Sequence, residues 1–215
     1  MKLTDELIAK ISQLPTGNIA DSNTVRGVLD TAIKPVNPHV HMVGRAFTVD
    51  CQPGDNLAIH QAMYEAEPGD VLFLAFKGFD QAGHFGDMMA NACKVRGLAG
   101  VVIDGSCRDY QDIYELEYPV YSRGYNPAPT VKESLAKMGQ EITIGGVTIH
   151  QGDLVVGDCD GIVIIPKEDE DKVMEKAFAK FEREKKILAD IKAGKSTLDI
   201  YGFRELIADK QVSHV

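Results

Sequence analysis

The chain has 215 residues, 44% of them hydrophobic and 26% charged, with a formal net charge of −9. That length suits a single domain spanning residues 1–215 that needs no disulfide or structural metal to bury its core. The diffuse negative charge argues against nucleic acid as a partner, yet leaves room for a small anion held by a few focused cations and amides.

The N-terminal segment carries Leu7, Ile8, Ile11 and Leu14 on one stripe, which predicts a helix over 4–13 ended by Thr16-Gly17-Asn18. The same segment lacks the unbroken apolar stretch and small-residue cleavage site of a signal peptide. No apolar run approaches the roughly 20 residues that a membrane helix needs. Cys51, Cys93, Cys107 and Cys159 form no CxxC pair. They read as reduced, mostly buried thiols in a cytoplasmic protein rather than a zinc or redox site.

Val43–Cys51 alternates as a strand, and Pro53-Gly54-Asp55-Asn56 turns into a helix at Leu57–Ala66. Val71–Phe76 is a short apolar run suited to a buried strand. Gly78–Gly86 reads as a loop with three glycines, followed by a helix at Asp87–Arg96 that Gly97 stops. Ala99–Asp104 is another buried strand, and Gly105-Ser106-Cys107 is expected to turn the chain before Arg108-Asp109. Farther on come a strand at Pro119–Ser122, a hairpin over Glu141–Ile149, and two strands, Leu154–Val156 and Gly161–Ile165. A long charged helix covers about 168–193. Its polar surface suits a helix that leaves the body to pack on a neighbouring subunit. A parallel core joined to antiparallel hairpins is favoured over a regular doubly wound sheet.

The chemistry concentrates in Gly83–Asp109. The amides opening a helix at Asp87 have no intrahelical acceptor and form a site for a carboxylate. One helix and one strand later come Arg108 and Asp109. In a strand-helix-strand unit both loops fall at the same sheet edge, where ligands bind. Arg108 suits a carboxylate or keto oxygen. Asp87 and Asp109 offer hard oxygens to Mg²⁺ or Mn²⁺, and a cation beside an arginine suits a developing enolate. Spacing alone leaves open that Asp87 is only a helix cap and that Arg108 and Asp109 form a surface ion pair.

The pieces PGDNLAIHQAM (53–63), EPGDVLFLAF (67–76), VRGLAGVVIDGSCRD (95–109), PVYSRG (119–124) and GGVTIHQGDLVVGDCDGIVIIP (145–166) follow one another in the chain. With the Gly86-Asp87 pair and the tail EREKKILADIKAGKSTLDIYG (182–202), they resemble the 4-hydroxy-4-methyl-2-oxoglutarate aldolases. They also resemble the related regulator-of-ribonuclease-E-activity-A-like proteins. The diagnostic Asp-x20-Arg-Asp stands here as Asp87, Arg108 and Asp109.

The resemblance implies an α/β fold, a swivelling β/β/α-type sandwich with mixed sheets and a long C-terminal helix, assembled as a trimer or hexamer. It implies that the amides of Gly86, Asp87, Met88 and Met89 bind a pyruvyl carboxylate and that Arg108 contacts the keto or enolate oxygen. Asp109 would ligate Mg²⁺ directly, and Asp87 would act through metal-bound water. A neighbouring subunit would add a glutamate, for which Glu170, Glu182 and Glu184 are candidates. The implied activity is cleavage of a small 4-hydroxy-2-oxo acid, with oxaloacetate decarboxylation through the same enolate.

The loop Lys77–Phe85 departs from the commoner version, so His84 and Phe85 are expected to affect which substrate tail fits. Two alternatives remain: a Schiff-base aldolase using Lys77, and a non-enzymatic regulator of ribonuclease E-type complexes on the same scaffold. His60 reads as structural or exposed. Asp158 and Asp160 read as turn residues rather than a metal pair.

Overall fold

DVLFLA and GVVIDGSC are buried almost throughout and lie side by side as parallel strands at the centre of the sheet. Strands buried on both faces are continuous apolar runs rather than alternating ones, which is why these two segments are legible. The computed structural model describes residues 1–23 and 27–212. In chain order the elements are α1 (Asp5–Ile11), α2 (Thr16–Ser22), β1 (Lys34–Pro35), β2 (Met42–Asp50), α3 (Leu57–Glu65), β3 (Asp70–Ala75), β4 (Gly83–Phe85), α4 (Asp87–Val95) and β5 (Gly100–Cys107). There follow α5 (Tyr110–Glu115), β6 (Val120–Tyr125), β7 (Lys137–Met138), β8 (Ile142–Ile144), β9 (Val147–Ile149), β10 (Leu154–Gly157), β11 (Ile162–Ile165), α6 (Glu170–Lys192), α7 (Thr197–Ile200) and α8 (Phe203–Val212).

The main sheet runs β1-β6-β5-β3-β2-β10-β11, with β4 added beside β5 and β7 beside β2. Strands β2, β3, β5 and β6 are parallel, whereas β10, β11 and β1 pair antiparallel. Side chains along β3 point to opposite faces in turn. Leu72 and Leu74 meet Ile59 and Met63 of α3, Met89 and Cys93 of α4, and Ile113 of α5. Val71 and Phe73 face the other way, toward Ile142, Ile144, Val147 and Ile149 of the β8–β9 hairpin. Burying a side chain of this size contributes about 1.5–3 kcal/mol. The layers are therefore small sheet, large mixed sheet, helices: the expected β/β/α sandwich. The first half of α6 and helices α1 and α2 close the β10–β11 end through Ile11, Ile19, Val173 and Ala177. No helix among the described residues is long and apolar enough to cross a membrane.

Two expectations are corrected. Thr16-Gly17-Asn18 does not end the first helical region but opens α2. The buried carboxylate of Asp158 accepts from the Thr16 amide at 2.9 Å and from its hydroxyl at 2.8 Å. This cap comes from 142 positions away, beyond the reach of a local pattern. The same carboxylate accepts from the Asp160 amide at 2.9 Å, so Asp158 is the turn residue that its spacing indicated. Nor does the chain turn at Gly105-Ser106-Cys107. Strand β5 continues through Cys107 because β4, inside the expected loop, pairs with it at Ser106 and Cys107.

Candidate active site

The added strand β4 explains how the site assembles. It lies parallel to the end of β5, with Gly83 opposite Ser106 and Phe85 opposite Cys107, and the Arg108 amide donates to the Phe85 carbonyl at 2.9 Å. Both chains then leave the sheet at the same edge. Gly86 becomes the N-cap of α4 as Arg108 and Asp109 emerge from β5. Helix α4 makes its first helical bond from the Ala90 amide to the Gly86 carbonyl, at 3.0 Å. The amides of Asp87, Met88 and Met89 precede that bond and so have no intrahelical acceptor. Asp109 adopts the left-handed conformation at φ +59°. Its Oδ2 accepts the Asp87 amide at 3.3 Å and lies 3.5 Å from Arg108 Nε.

Close approach explains two glycines. A Cβ on Gly86 would stand 2.3 Å from Asp109 Oδ2, and one on Gly83 would stand 2.2 Å from the Asn126 carbonyl oxygen. Any side chain at Gly86 would occupy the space where the two loops meet.

A cavity of about 230 Å³ opens here. Gly86, Asp87, Met88, Met89, Arg108 and Asp109 all line it, so the residues singled out from the sequence come together. Three further wall residues were not assigned to the site from the sequence: Asn56, His60 and Lys132. His60 and Lys132 are exposed side chains facing this space. Partial burial and the nearby Lys132 cation hold the His60 imidazole below the usual histidine pKa. Asn56 donates through Nδ2 to the His84 carbonyl at 3.2 Å, but its buried Oδ1 has no hydrogen-bond partner among the described residues. A buried acceptor left unpaired is costly and therefore uncommon.

His84 contributes to the wall from behind. Its ring stacks on Phe76 at 3.8 Å, and both it and Phe85 are fully buried. Nε2 accepts the Gly54 amide at 3.0 Å, while Nδ1 faces the Ser106 carbonyl at 3.4 Å. An acceptor Nε2 requires the neutral ring with its proton on Nδ1, and burial lowers its pKa accordingly. The imidazole fixes the loop rather than meeting a ligand through either nitrogen.

The remaining candidates lie elsewhere. Lys77 is outside the cavity, exposed and 3.8 Å from Asp50. Glu170 is buried between Arg45 and the N-terminal amine. Glu184 accepts from Asn18 at 2.8 Å, and Glu182 pairs with Lys185 at 2.6 Å. None of the three glutamates lines the cavity within one copy of the chain. A larger cavity of about 760 Å³ sits at the opposite edge, where β2 and β3 begin, and includes Arg45 and Asp70 but none of the Asp87, Arg108 and Asp109 set.

Comparison with known proteins identifies the family. Residues 11–164 match the RraA-like family model, described as Aldolase/RraA. A Halalkalibacterium halodurans protein with the provisional name 4-hydroxy-4-methyl-2-oxoglutarate aldolase is 39% identical over 175 residues, covering 81% of this chain and 83% of that one. The structure of an uncharacterized protein from Pseudomonas syringae pv. tomato superposes with a TM-score of 0.80 at 27% identity, over 91% of this chain and 96% of that one. The RNA-processing inhibitor RraA from Thermus thermophilis shares the fold, with a TM-score of 0.65 at 24% identity over 71% of this chain and 92% of that one. The chain belongs to the RraA-like family, whose members include both proteins named as aldolases and RraA regulators.

Proposed function

We propose that this protein is a divalent-metal-dependent lyase that cleaves 4-hydroxy-2-oxo acids to pyruvate and a second carbonyl compound. The observation that carries the reading is the convergence of Arg108, Asp109 and the open amides of α4 on one cavity. A non-enzymatic regulator has no need of this set.

The donors fit a hard cation. Asp109 and Asp87 offer carboxylate oxygens at the cavity, and among the described residues no group of three or more His, Cys, Asp or Glu gathers as a closed cage. A site with few protein ligands suits Mg²⁺, or Mn²⁺, which keeps several waters. Asp109 would hold the ion, with Asp87 beside it. When bound, the ion supplies positive charge that stabilises an enolate oxygen.

The chain's own groups divide the remaining work. The amides of Gly86, Met88 and Met89 receive the pyruvyl carboxylate at the positive end of α4, beside the Asp87 amide that donates to Asp109. The Arg108 guanidinium donates to the C2 keto oxygen, where negative charge grows as the C3–C4 bond breaks. Both imidazoles in the wall have a lowered pKa, and His60 is the exposed one. As a neutral base it takes the C4 hydroxyl proton. The C3–C4 electron pair passes into the enolate, C4 becomes a carbonyl, and protonation at C3 yields pyruvate. Loss of CO₂ from oxaloacetate produces the same enolate, so decarboxylation is a companion activity. Lys132 brings positive charge to the same cavity, suited to a second carboxylate on the substrate tail.

A homo-oligomer, trimeric or hexameric, belongs to this reading. The far half of α6 with α7 and α8 leaves Leu188, Ile191, Tyr201, Phe203 and Leu206 substantially exposed. A second copy packing there would cover them, and Glu182 or Glu184 would then be available to a neighbouring site. Replacing Arg108 tests the mechanism. Arg108→Ala should lower kcat for both 4-hydroxy-4-methyl-2-oxoglutarate and oxaloacetate by about 10²–10³-fold, the usual cost of losing one oxyanion donor. Near-normal turnover of both would rule this mechanism out.

A further inference from the structure

Lys132 sits on a stretch without helix or long strand, the segment between Tyr125 and Lys137. A lysine on such a stretch has no element to fix it, yet it stands in the wall of the cavity. What holds it is the loop on which Asp55 lies. The Val131 amide donates to the Gly54 carbonyl at 2.9 Å, and the Asn56 amide donates to the Val131 carbonyl at 3.1 Å. On the other side of Lys132, Asp55 Oδ2 accepts the Glu133 amide at 2.8 Å and the Ser134 amide at 2.7 Å. Its Oδ1 accepts the Leu57 amide at 2.8 Å, at the start of α3. Lys132 is thus bracketed by backbone bonds on one side and by a buried carboxylate on the other.

The loop is itself tied down. The Gly54 amide donates to His84 Nε2, whose ring is stacked on Phe76 and buried in the core beside β5. The chain of contacts runs from core to His84, to Gly54-Asp55, and to the segment 131–134. We propose that Asp55 is a positioning residue: its carboxylate clamps 131–134 so that Lys132 is held over the tail end of the substrate. The proposal rests on the reading of Lys132 as the cation for a distal carboxylate.

The chemistry of Asp55 fits a clamp better than a ligand. The residue is 3% exposed, and both oxygens are occupied by amides. Burial pushes its pKa up, but the hydrogen bonds from Leu57, Glu133 and Ser134 outweigh this and hold it below the ordinary aspartate value. The carboxylate is therefore ionised, and charge-assisted bonds to amides are the stronger kind. Asparagine has the same shape but only one acceptor. Whichever way it turns, its NH₂ faces amide donors, either that of Leu57 or those of Glu133 and Ser134.

The test is a double-mutant cycle on the full chain with Mg²⁺, using 4-hydroxy-4-methyl-2-oxoglutarate and the tail-less 4-hydroxy-2-oxopentanoate. Asp55→Asn should raise KM for the first about 10-fold or more, leave KM for the second near wild type, and change kcat little. In a Lys132→Met background the same substitution should add no further rise, because residues acting through one another are not additive. Hydrogen exchange at the Glu133 and Ser134 amides should accelerate in Asp55→Asn. Ser134→Pro removes one donor without touching the buried carboxylate and should shift KM in the same direction, which covers the case of Asp55→Asn failing to fold. An unchanged KM, an equal rise for both substrates, or full additivity with Lys132→Met overturns the clamp. If the wild-type protein releases pyruvate from neither compound, the lyase reading fails separately. Exchange then judges the clamp, and unaltered rates at Glu133 and Ser134 would dismiss it.

Discussion

The Asp109 carboxylate accepts the backbone N–H of Asp87 at 3.3 Å, joining the end of β5 to the start of α4 across 22 positions of sequence. This contact brings the two candidate metal-facing carboxylates to one wall. Replacing Asp109 by Asn removes charge while keeping shape. We expect Mg²⁺ affinity, followed by calorimetry, to fall by more than the roughly 10–100-fold typical of outer-shell partners. Unchanged affinity would place the ion elsewhere.

Gly86 offers a test of packing at the same point. An alanine Cβ there would meet Asp109 Oδ2 at 2.3 Å. Overpacking of this kind costs about 1–3 kcal/mol. Gly86→Ala should therefore lower thermal stability modestly and depress kcat/KM much more, since the displaced group is the one facing the substrate. A melt shifted without loss of turnover would mean that the Gly86–Asp109 approach serves the fold alone.

Lys132 tests the proposed placement of the substrate tail. Lys132→Met should raise KM for a tail carrying a carboxylate by about 10–100-fold, the worth of a charged hydrogen bond. It should leave a tail without one unaffected. Steady-state kinetics on the paired substrates measures the ratio, and a constant ratio would contradict the assignment.

The central strands and the meeting of Asp87, Arg108 and Asp109 at one edge were legible in the sequence, and the approach of Asn56 and Lys132 was not. Val71–Ala75 and Gly100–Ile103 are apolar without interruption, so two buried strands are readable from composition, and the helix between them makes them parallel. That Asp87 meets Arg108 and Asp109 follows from one helix and one strand between two loops. Asn56 and Lys132 carry no such signal. They meet because Asp55 bonds Glu133 from 78 positions away, through a segment with no period. The start of α2 was hidden for the same reason, its cap being Asp158. His84 and Phe85 were expected to affect the substrate tail because their loop departs from the commoner version; both are buried, with His84 stacked on Phe76 behind the cavity wall.

The buried, neutral His84 gives the stability a pH dependence. Burial lowers its folded-state pKa below the ordinary histidine value of about 6.5. As pH falls below about 6.5, the unfolded chain takes up the proton first, so stability declines with falling pH down to the folded-state value. His84→Gln should flatten that decline relative to wild type in thermal melts between about pH 7 and pH 5. Parallel curves for the two proteins would mean that His84 does not contribute.

The central claim is that Arg108, Asp109 and the α4 amides make this protein a metal-dependent pyruvate-releasing lyase. The most direct measurement is pyruvate release from a panel of 4-hydroxy-2-oxo acids and oxaloacetate, with Mg²⁺ or Mn²⁺ present and after chelation. The account predicts pyruvate from oxaloacetate and at least one 4-hydroxy-2-oxo acid, lost on chelation and restored by added metal. Absence of pyruvate from every compound, or release that persists without metal, would contradict it.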